Sequence, residues 1–463
     1  MKLSDLIPCG FDTEITDIAV DTRLVQKGAL FVCITGVKVD AHQFAAKAEE
    51  LGASAILAEK DVEVKHIPVV KVPNTRAALP RVMSAFLGHP ESKFRLIGIT
   101  GTNGKTSSTH FLKSILEAEG RTVGLIGTNH NLIGNTELPS THTTPDSITL
   151  FRLFAQMAEM GATDVVMEMS SHALDQHRAD AAFTAAGITN LTQDHLDYHG
   201  TMEAYGQAKK RLFSMSDAAV YNADDPAVCD LMADCTDAMT FGIQKGDVRA
   251  ENVVNKPTGV TFTVDGKPYR LAVPGRFSVY NALMAIALAR ILGCGDDAIR
   301  NGLAAVGGVA GRAEVVPTNL PFTVMIDYAH TPDGIEKILN AAREFTEGEL
   351  WVLFGCGGDR DSTKRPKMGA MAEKLADRLI VTSDNPRSED PEAIIADVLE
   401  GIRDRSRTVV LPDRTEAIAY ALSHAQAGDV VVLAGKGHET YQVLKEGKIH
   451  YDEREVIRQI LEG

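Results

Sequence analysis

No stretch of the 463-residue chain is apolar enough to span a membrane. The one run that is apolar on most faces, residues 282–292, is short and contains Arg290, which makes it a core helix. Residues 1–13 carry Asp5 and Pro8 and no apolar h-region, so no secretory signal is expected and the protein is expected to be cytoplasmic. The six cysteines include no C-x-x-C pair, which argues against a zinc knuckle or a dithiol redox motif and leaves free buried thiols. Positive charge is also scarce: 47 Lys and Arg stand against 62 Asp and Glu, a formal net charge of −15. Without a basic surface the chain is not expected to bind nucleic acid, and anionic ligands must be held by local sites. Internal repeats and low-complexity tracts are absent as well.

What remains is an ordinary globular composition, 44% hydrophobic and 24% charged, long enough for three domains of roughly 150 residues each. Residues 1–92 alternate short apolar runs (29–34, 55–58, 69–72) with helical stretches (45–51, 76–87), a small α/β domain that closes at the breaker cluster 88–90. In residues 93–309, strand-like runs at 123–126, 164–169, 186–190 and 218–221 alternate with helices, which predicts a mostly parallel sheet covered on both faces. After the glycine-rich segment 307–311, residues 310–463 repeat the pattern with strands at 323–327, 351–355, 378–382 and 429–434, a Rossmann-like sheet without the dinucleotide fingerprint. The fold class is therefore α/β with three domains, the central one of P-loop ATPase type.

Residues 98–107 (GITGTNGKTS) place a glycine-rich loop between an apolar strand at 94–99 and a helix whose apolar positions Phe111, Leu112, Ile115 and Leu116 recur at helical spacing. Backbone N–H groups at a helix N-terminus already point at an anion. Gly101 and Gly104 let the backbone wrap phosphates, Lys105 can reach the terminal phosphates and the Thr106 hydroxyl is placed for Mg²⁺. The loop is shorter than the common eight-residue form, because Ile99 stands where that form has its first glycine. Nucleotide binding follows; a plain glycine-rich turn is the weaker alternative.

Glu168 ends a strand, and residues 190–199 (NLTQDHLDYH) follow another. Both fall where a parallel sheet presents its active edge. A carboxylate and an imidazole there could hold a divalent ion that bridges nucleotide and second substrate. Taken singly, His172, His177 and His199 read as satisfied loop residues. A zinc hydrolase is the sharper rival, although Asp-His-x-Asp-x-His has no zinc-site spacing.

Eight runs in order along the chain, residues 100–107 (TGTNGKTS), 143–146 (TTPD), 168–174 (EMSSHAL), 189–200 (TNLTQDHLDYHG), 327–333 (DYAHTPD), 354–361 (FGCGGDRD), 384–387 (DNPR) and 434–439 (AGKGHE), resemble the Mur ligases, ATP-dependent amide-forming enzymes of bacterial cell-wall precursor synthesis. The resemblance implies addition of meso-diaminopimelate to the D-glutamate side-chain carboxylate of UDP-N-acetylmuramoyl-L-alanyl-D-glutamate, with ATP and Mg²⁺ as cofactors, by a monomer. It implies that Gly101, Thr102, Asn103, Gly104, Lys105, Thr106 and Ser107 bind ATP, with Asn281, Arg312, Asp327 and His330 completing the nucleotide site. For Asn281 a helix N-cap is the plainer alternative. Thr106, Glu168, His195 and Lys209 would hold Mg²⁺, Lys209 as a carbamate; the neighbouring Lys210 is the solvated alternative. Lys105, Lys209 and Arg312 would be catalytic, Arg312 arriving on domain closure.

Val20, Thr22, Thr143, Thr144, Ser170, Gln176 and Arg178 would hold the UDP-muramoyl-dipeptide, and residues 37–39 would contact its sugar; His142 stands where many relatives have Asn. Arg360, Asp384, Asn385, Pro386, Arg387, Gly435 and Glu439 would hold diaminopimelate, Arg387 on its distal carboxylate and Glu439 on its distal ammonium. On this reading the domains bind the UDP-sugar (1–92), ATP (93–309) and the amino acid (310–463). A lysine-adding ligase, a folylpolyglutamate synthetase-like ligase and, from another class, a nucleotide-gated binding protein or simple ATPase remain as alternatives.

Overall fold

A computed structural model describes residues 1–36, 39–138 and 142–462. These divide into two compact units: Met1–Thr100, Gly120–Gly187 and Gly206–Ala219 form one, and Gly101–Glu119, Ile188–Tyr205 and Val220–Gly463 the other.

In the first unit, strands Asp17–Ala19, Ala29–Val32, Ala55–Ala58 and Val69–Lys71 lie in that order in a parallel sheet; the last three match the expected apolar runs, and the first was not expected. The breaker cluster at 88–90 is a tight corner. His89 takes a left-handed φ of 55° and Pro90 opens the single-turn helix Pro90–Lys93. Just beyond it, Phe94 meets Phe154 edge-on at 5.6 Å. One apolar core thus runs from Leu3, Leu30 and Met83 through Phe94 and Phe151 to Phe183. Strand Asp164–Glu168 lies between Arg95–Thr100 and Val123–Ile126, parallel to both. All five of its residues are buried, as a strand covered on both faces requires.

In the second unit the phosphate-loop helix Lys105–Ala118 packs on helices Arg276–Ile291 and Asp296–Ala305. The expected apolar core helix is the first of these; residues 282–289 in it are fully buried. It begins six residues earlier than the apolar run, because Arg276 to Asn281 in sequence interrupt the hydrophobic pattern without breaking the backbone. A six-stranded sheet follows in the order Glu314–Val315, Thr323–Asp327, Val430–Ala434, Leu350–Phe354, Arg378–Val381, Thr408–Val410, parallel except for its first strand. Its register sets Asp327, Phe354 and Ala434 side by side at the carboxyl edge. Among the antiparallel features that sequence reading missed are the meander Val248–Lys256, Gly259–Val264, Lys267–Leu271 and the hairpin Tyr441–Leu444, Gly447–His450. The meander alternates buried and exposed positions and the hairpin has no buried residue, so their sequences offer no continuous apolar run.

Candidate functional site

The phosphate loop enters its helix through two glycines with left-handed backbone, Gly101 (φ 132°) and Gly104 (φ 88°). A side chain on Gly101 would overlap Thr189, and one on Gly104 would overlap Asn281. Conformation and crowding therefore both demand glycine. Asn103 anchors the loop. Its N–H donates to Asn190 Oδ1 (3.0 Å), its carbonyl accepts from Thr189 Oγ1 (2.6 Å) and Asn190 Nδ2 (3.0 Å), and its side chain donates to Asp333 Oδ2 (2.6 Å). Lys105 Nζ folds back to the carbonyls of Gly101 and Thr102, 2.9 Å from each.

This loop lines a cavity of about 570 Å³, within the size range of ligand pockets. Asn103, Gly104, Thr106 and Ser107 form part of its wall, with Phe241, Phe277, Asn281, Arg312, Asp327 and His330 around the rest. Eight of the residues expected at the nucleotide, Asn281, Arg312, Asp327 and His330 among them, thus meet around one space. Asn281 is not a helix cap: Gly275 holds that position, and Asn281 is buried inside the helix against Gly104. Arg312 donates from Nη2 to the Thr106 hydroxyl (3.2 Å), and its guanidinium lies 4.8 Å from the Tyr328 ring centre.

Asp327 accepts from the N–H of Ala313 (2.7 Å) and of Ala329 (2.8 Å). Burial raises its pKa, against the pull of Arg312. His330 Nδ1 lies 2.8 Å from the Tyr328 carbonyl, a contact that assigns the proton to Nδ1 and leaves Nε2 as acceptor. Burial, then Lys364, lowers its pKa, so the ring is neutral at neutral pH.

His195, also in the second unit, has a left-handed φ of 52° and sits 3.4 Å from Asp194 Oδ2. For Asp194, burial acts upward but is outweighed by His195, His330, Lys364 and Lys105, which hold its carboxyl below the usual range.

In the first unit, Glu168 is buried at the end of its strand. Oε1 accepts from Thr128 N–H (2.8 Å) and Oε2 from the Thr128 hydroxyl (3.1 Å), which itself lies 2.9 Å from Thr143 Oγ1. The Thr144 hydroxyl donates to the Glu168 carbonyl (2.7 Å) and accepts from Ser170 N–H (3.0 Å). Arg178 donates to the Thr144 carbonyl (3.1 Å) and, through Nε and Nη2, to Gln176 Oε1 (3.1 and 2.8 Å). Thr143, Thr144, Ser170, Gln176 and Arg178 therefore form one connected chain on Glu168. Thr128 was not singled out from sequence; its only signal is its place just after the strand Val123–Ile126. Lys209 is 1% exposed, whereas Lys210 is partly exposed. Val20 and Thr22 are both partly exposed, Thr22 beside the Asp21–Arg23 pair. Of residues 37–39, Val37 and Lys38 lie outside the described residues; Val39 is exposed, as is His142.

Among the described residues no three His, Cys, Asp or Glu side chains cluster to hold a metal ion. A hard cation such as Mg²⁺ needs only one or two protein oxygens beside water and phosphate, and the Thr106 hydroxyl and the Glu168 carboxylate are oxygen donors of that kind.

At the carboxyl edge of the six-stranded sheet, three loops converge. Gly357 faces Arg387: a Cβ there would lie 2.8 Å from Arg387 Nη1 and 3.9 Å from Arg360 Cγ. The glycines after strand Leu350–Phe354 thus make room for a second loop rather than for a dinucleotide. Arg387 has φ 54° and donates to the Gly358 carbonyl (2.8 Å), while its N–H donates to the Val443 carbonyl of the hairpin (3.0 Å). Asn385 Nδ2 donates to Glu439 Oε2 (2.8 Å), and Asn385 Oδ1 accepts from Val443 N–H (2.9 Å). Gly435 (φ 115°) sits against Asp384, whose Oδ2 is 3.2 Å from its Cβ position. Arg360, exposed, donates to the Asp359 carbonyl (3.0 Å), and Pro386 is buried between Asn385 and Arg387.

Three family models match successive parts of the chain: "Mur ligase family, catalytic domain" at residues 14–87, "Mur ligase middle domain" at 99–289 and "Mur ligase, glutamate ligase domain" at 311–437. A relative from Caldanaerobacter subterraneus subsp. tengcongensis, a UDP-N-acetylmuramoyl-L-alanyl-D-glutamate--2,6-diaminopimelate ligase, is 46% identical over 97% of this chain and 95% of its own. A solved structure of a ligase of that same name is 32% identical with a TM-score of 0.72, covering 100% of this chain and 99% of the other. A MurF ligase from Thermotoga maritima in complex with ADP shares the fold, at 19% identity and a TM-score of 0.63, covering 97% of each chain.

Proposed function

The chain belongs to the Mur ligase family, and on that premise we propose that it joins 2,6-diaminopimelate, as the meso isomer, to the D-glutamate side-chain carboxylate of UDP-N-acetylmuramoyl-L-alanyl-D-glutamate, converting ATP to ADP and phosphate. The observation that carries the reading is the Gly-Lys-Thr loop opening onto a nucleotide-sized cavity, in a chain 46% identical over nearly its full length to a ligase of that name.

A carboxylate resists attack by an amine because its charge is delocalised and an oxide is a poor leaving group. Transfer of the γ-phosphoryl group to a carboxylate oxygen gives an acyl phosphate, whose phosphate can leave. The amine then attacks the carbonyl carbon, the amide forms and phosphate departs. Lys105 and Arg312 would offset charge on the phosphoryl oxygens, since this chemistry is mostly positioning and electrostatics. Neutral His330, Asp327 and Asn281 would bind and orient the nucleoside. Bound Mg²⁺, held by Thr106, Glu168 and His195, would supply further neutralisation of phosphate charge. Lys209, 1% exposed, would as a carbamate supply the anionic oxygens that a hard cation prefers. The chain of hydrogen bonds on Glu168 would orient the dipeptide's carboxylate.

At the acceptor site, Arg387 and Arg360 would bind the distal carboxylate of diaminopimelate, and Glu439, with Asp384 and Asn385, its ammonium. A guanidinium matches a carboxylate with paired hydrogen bonds, and lysine has no such carboxylate to offer. The test is ADP release with each substrate omitted in turn. Turnover that requires both the UDP-muramoyl-dipeptide and diaminopimelate is expected; equal phosphate release without an amine would leave a simple ATPase.

A further inference from the structure

Lys436 was not singled out in the sequence, yet its side chain is wholly buried in the wall of the amino-acid site. Its ammonium lies 3.4 Å from Asp384 Oδ1, 3.3 Å from Asn385 Oδ1 and 3.4 Å from Glu439 Oε2. The loop that carries it is fixed by Gly435 N–H donating to the Asp327 carbonyl (3.0 Å) and Glu439 N–H donating to the Lys436 carbonyl (3.0 Å). Behind it, the ring of Tyr451 is centred 5.8 Å from Nζ. The other buried cation nearby is already matched: Arg414 pairs with Glu453 at 2.8 Å and donates to the Ala434 carbonyl, tying the strand end to its neighbours.

We propose that Lys436 is a positioning residue that sets the charge count of the amino-acid site, so that Asp384 and Glu439 together carry one unbalanced negative charge matched to a single substrate ammonium. This inference rests on the function proposed above. Two buried carboxylates that share the Lys436 ammonium repel each other, and without that cation one of them takes up a proton. Glu439 is the one disposed to do so, since burial and then Asp384 raise its pKa already. The other groups facing it are Asn385, Lys436, Tyr328 and Tyr441. A protonated Glu439 no longer pairs with the substrate ammonium. Lys436 would therefore act on substrate through Glu439 and Asp384, without touching it.

Charge count and mere packing predict different outcomes in a double substitution. Lys436→Met should raise KM for diaminopimelate at least thirtyfold while KM for ATP and for the UDP-muramoyl-dipeptide stays within twofold. Adding Asp384→Asn restores a single negative charge, so the double variant should bind diaminopimelate at least threefold better than Lys436→Met alone. A KM for diaminopimelate that Lys436→Met leaves unchanged, or a double variant no better than the single one at equal melting temperature, would overturn the proposal. If Lys436→Met does not fold, Lys436→Gln, which keeps a donor without the charge, replaces it in both arms. The unmodified enzyme is assayed first with diaminopimelate and lysine. If it uses only lysine, the acceptor assigned above is wrong, and the same cycle is run with lysine, whose distal ammonium meets the same charge count.

Discussion

The Asn103 side chain donates a 2.6 Å hydrogen bond to Asp333 Oδ2, tying the phosphate loop to the first turn of helix Pro332–Arg343, 230 residues further along the chain. Asp333 also pairs with Lys337 at 2.9 Å, which holds the carboxylate in place. Hydrogen bonds to charged groups contribute about 1.5 to 3 kcal/mol, less where water reaches them. Asp333→Ala should therefore raise KM for ATP by roughly tenfold and leave KM for the amino acid unchanged. A steady-state titration of ATP decides it.

Lys105→Ala should lose at least about 10³-fold in turnover, since it removes a preorganised cation from the transferring phosphate. Loss of the folded state is the alternative cause of lost turnover. Circular dichroism beside the ADP assay separates the two effects.

Lys209→Ala should lose nearly all activity if the residue works as a carbamate. Added acetate or formate should restore part of it by filling the vacated anionic site. Full activity in the variant would exclude the carbamate, and mass spectrometry of the unmodified protein should find the added carbon dioxide.

For Arg387→Ala, preference for meso-diaminopimelate over L-lysine should fall sharply. Truncating one side of a buried charge pair costs about 2 to 5 kcal/mol, or roughly thirtyfold to several thousandfold in specificity. Arg387 is only partly buried, which places the expectation at the lower end. Equal use of both amino acids by the unmodified enzyme would show that Arg387 is a turn residue only.

The neutral His330 links stability to pH. Its pKa is held below the ordinary value of 6.5 in the folded state, so as pH falls through 6.5 the unfolded chain gains a proton that the folded chain refuses. Its contribution is complete above pH 6.5 and is lost progressively below it, down to the folded pKa. Urea unfolding at several pH values should show His330→Gln losing less stability on acidification than the unmodified protein.

Sequence alone determined the strand, loop and helix around residues 95–118, the alternation of strands and helices that follows, and the glycines of both loops. Each of those depends on residues within a turn or a few positions of one another, where periodicity and backbone freedom act. The phosphate-loop residues expected at the nucleotide were legible for the same reason, since the loop lies between a strand end and a helix start; Asn281, Arg312, Asp327 and His330 were expected only from the resemblance to the Mur ligases. Other features depended on which distant loops meet. Thr128 reaches Glu168 across 40 residues, Asn281 crowds Gly104 from inside a buried helix, and Lys436 balances Asp384 from 52 residues away. Only the tertiary structure could decide these, because a side chain's charge balance and crowding are set by neighbours that sheet pairing brings together, and no local pattern along the chain records that pairing.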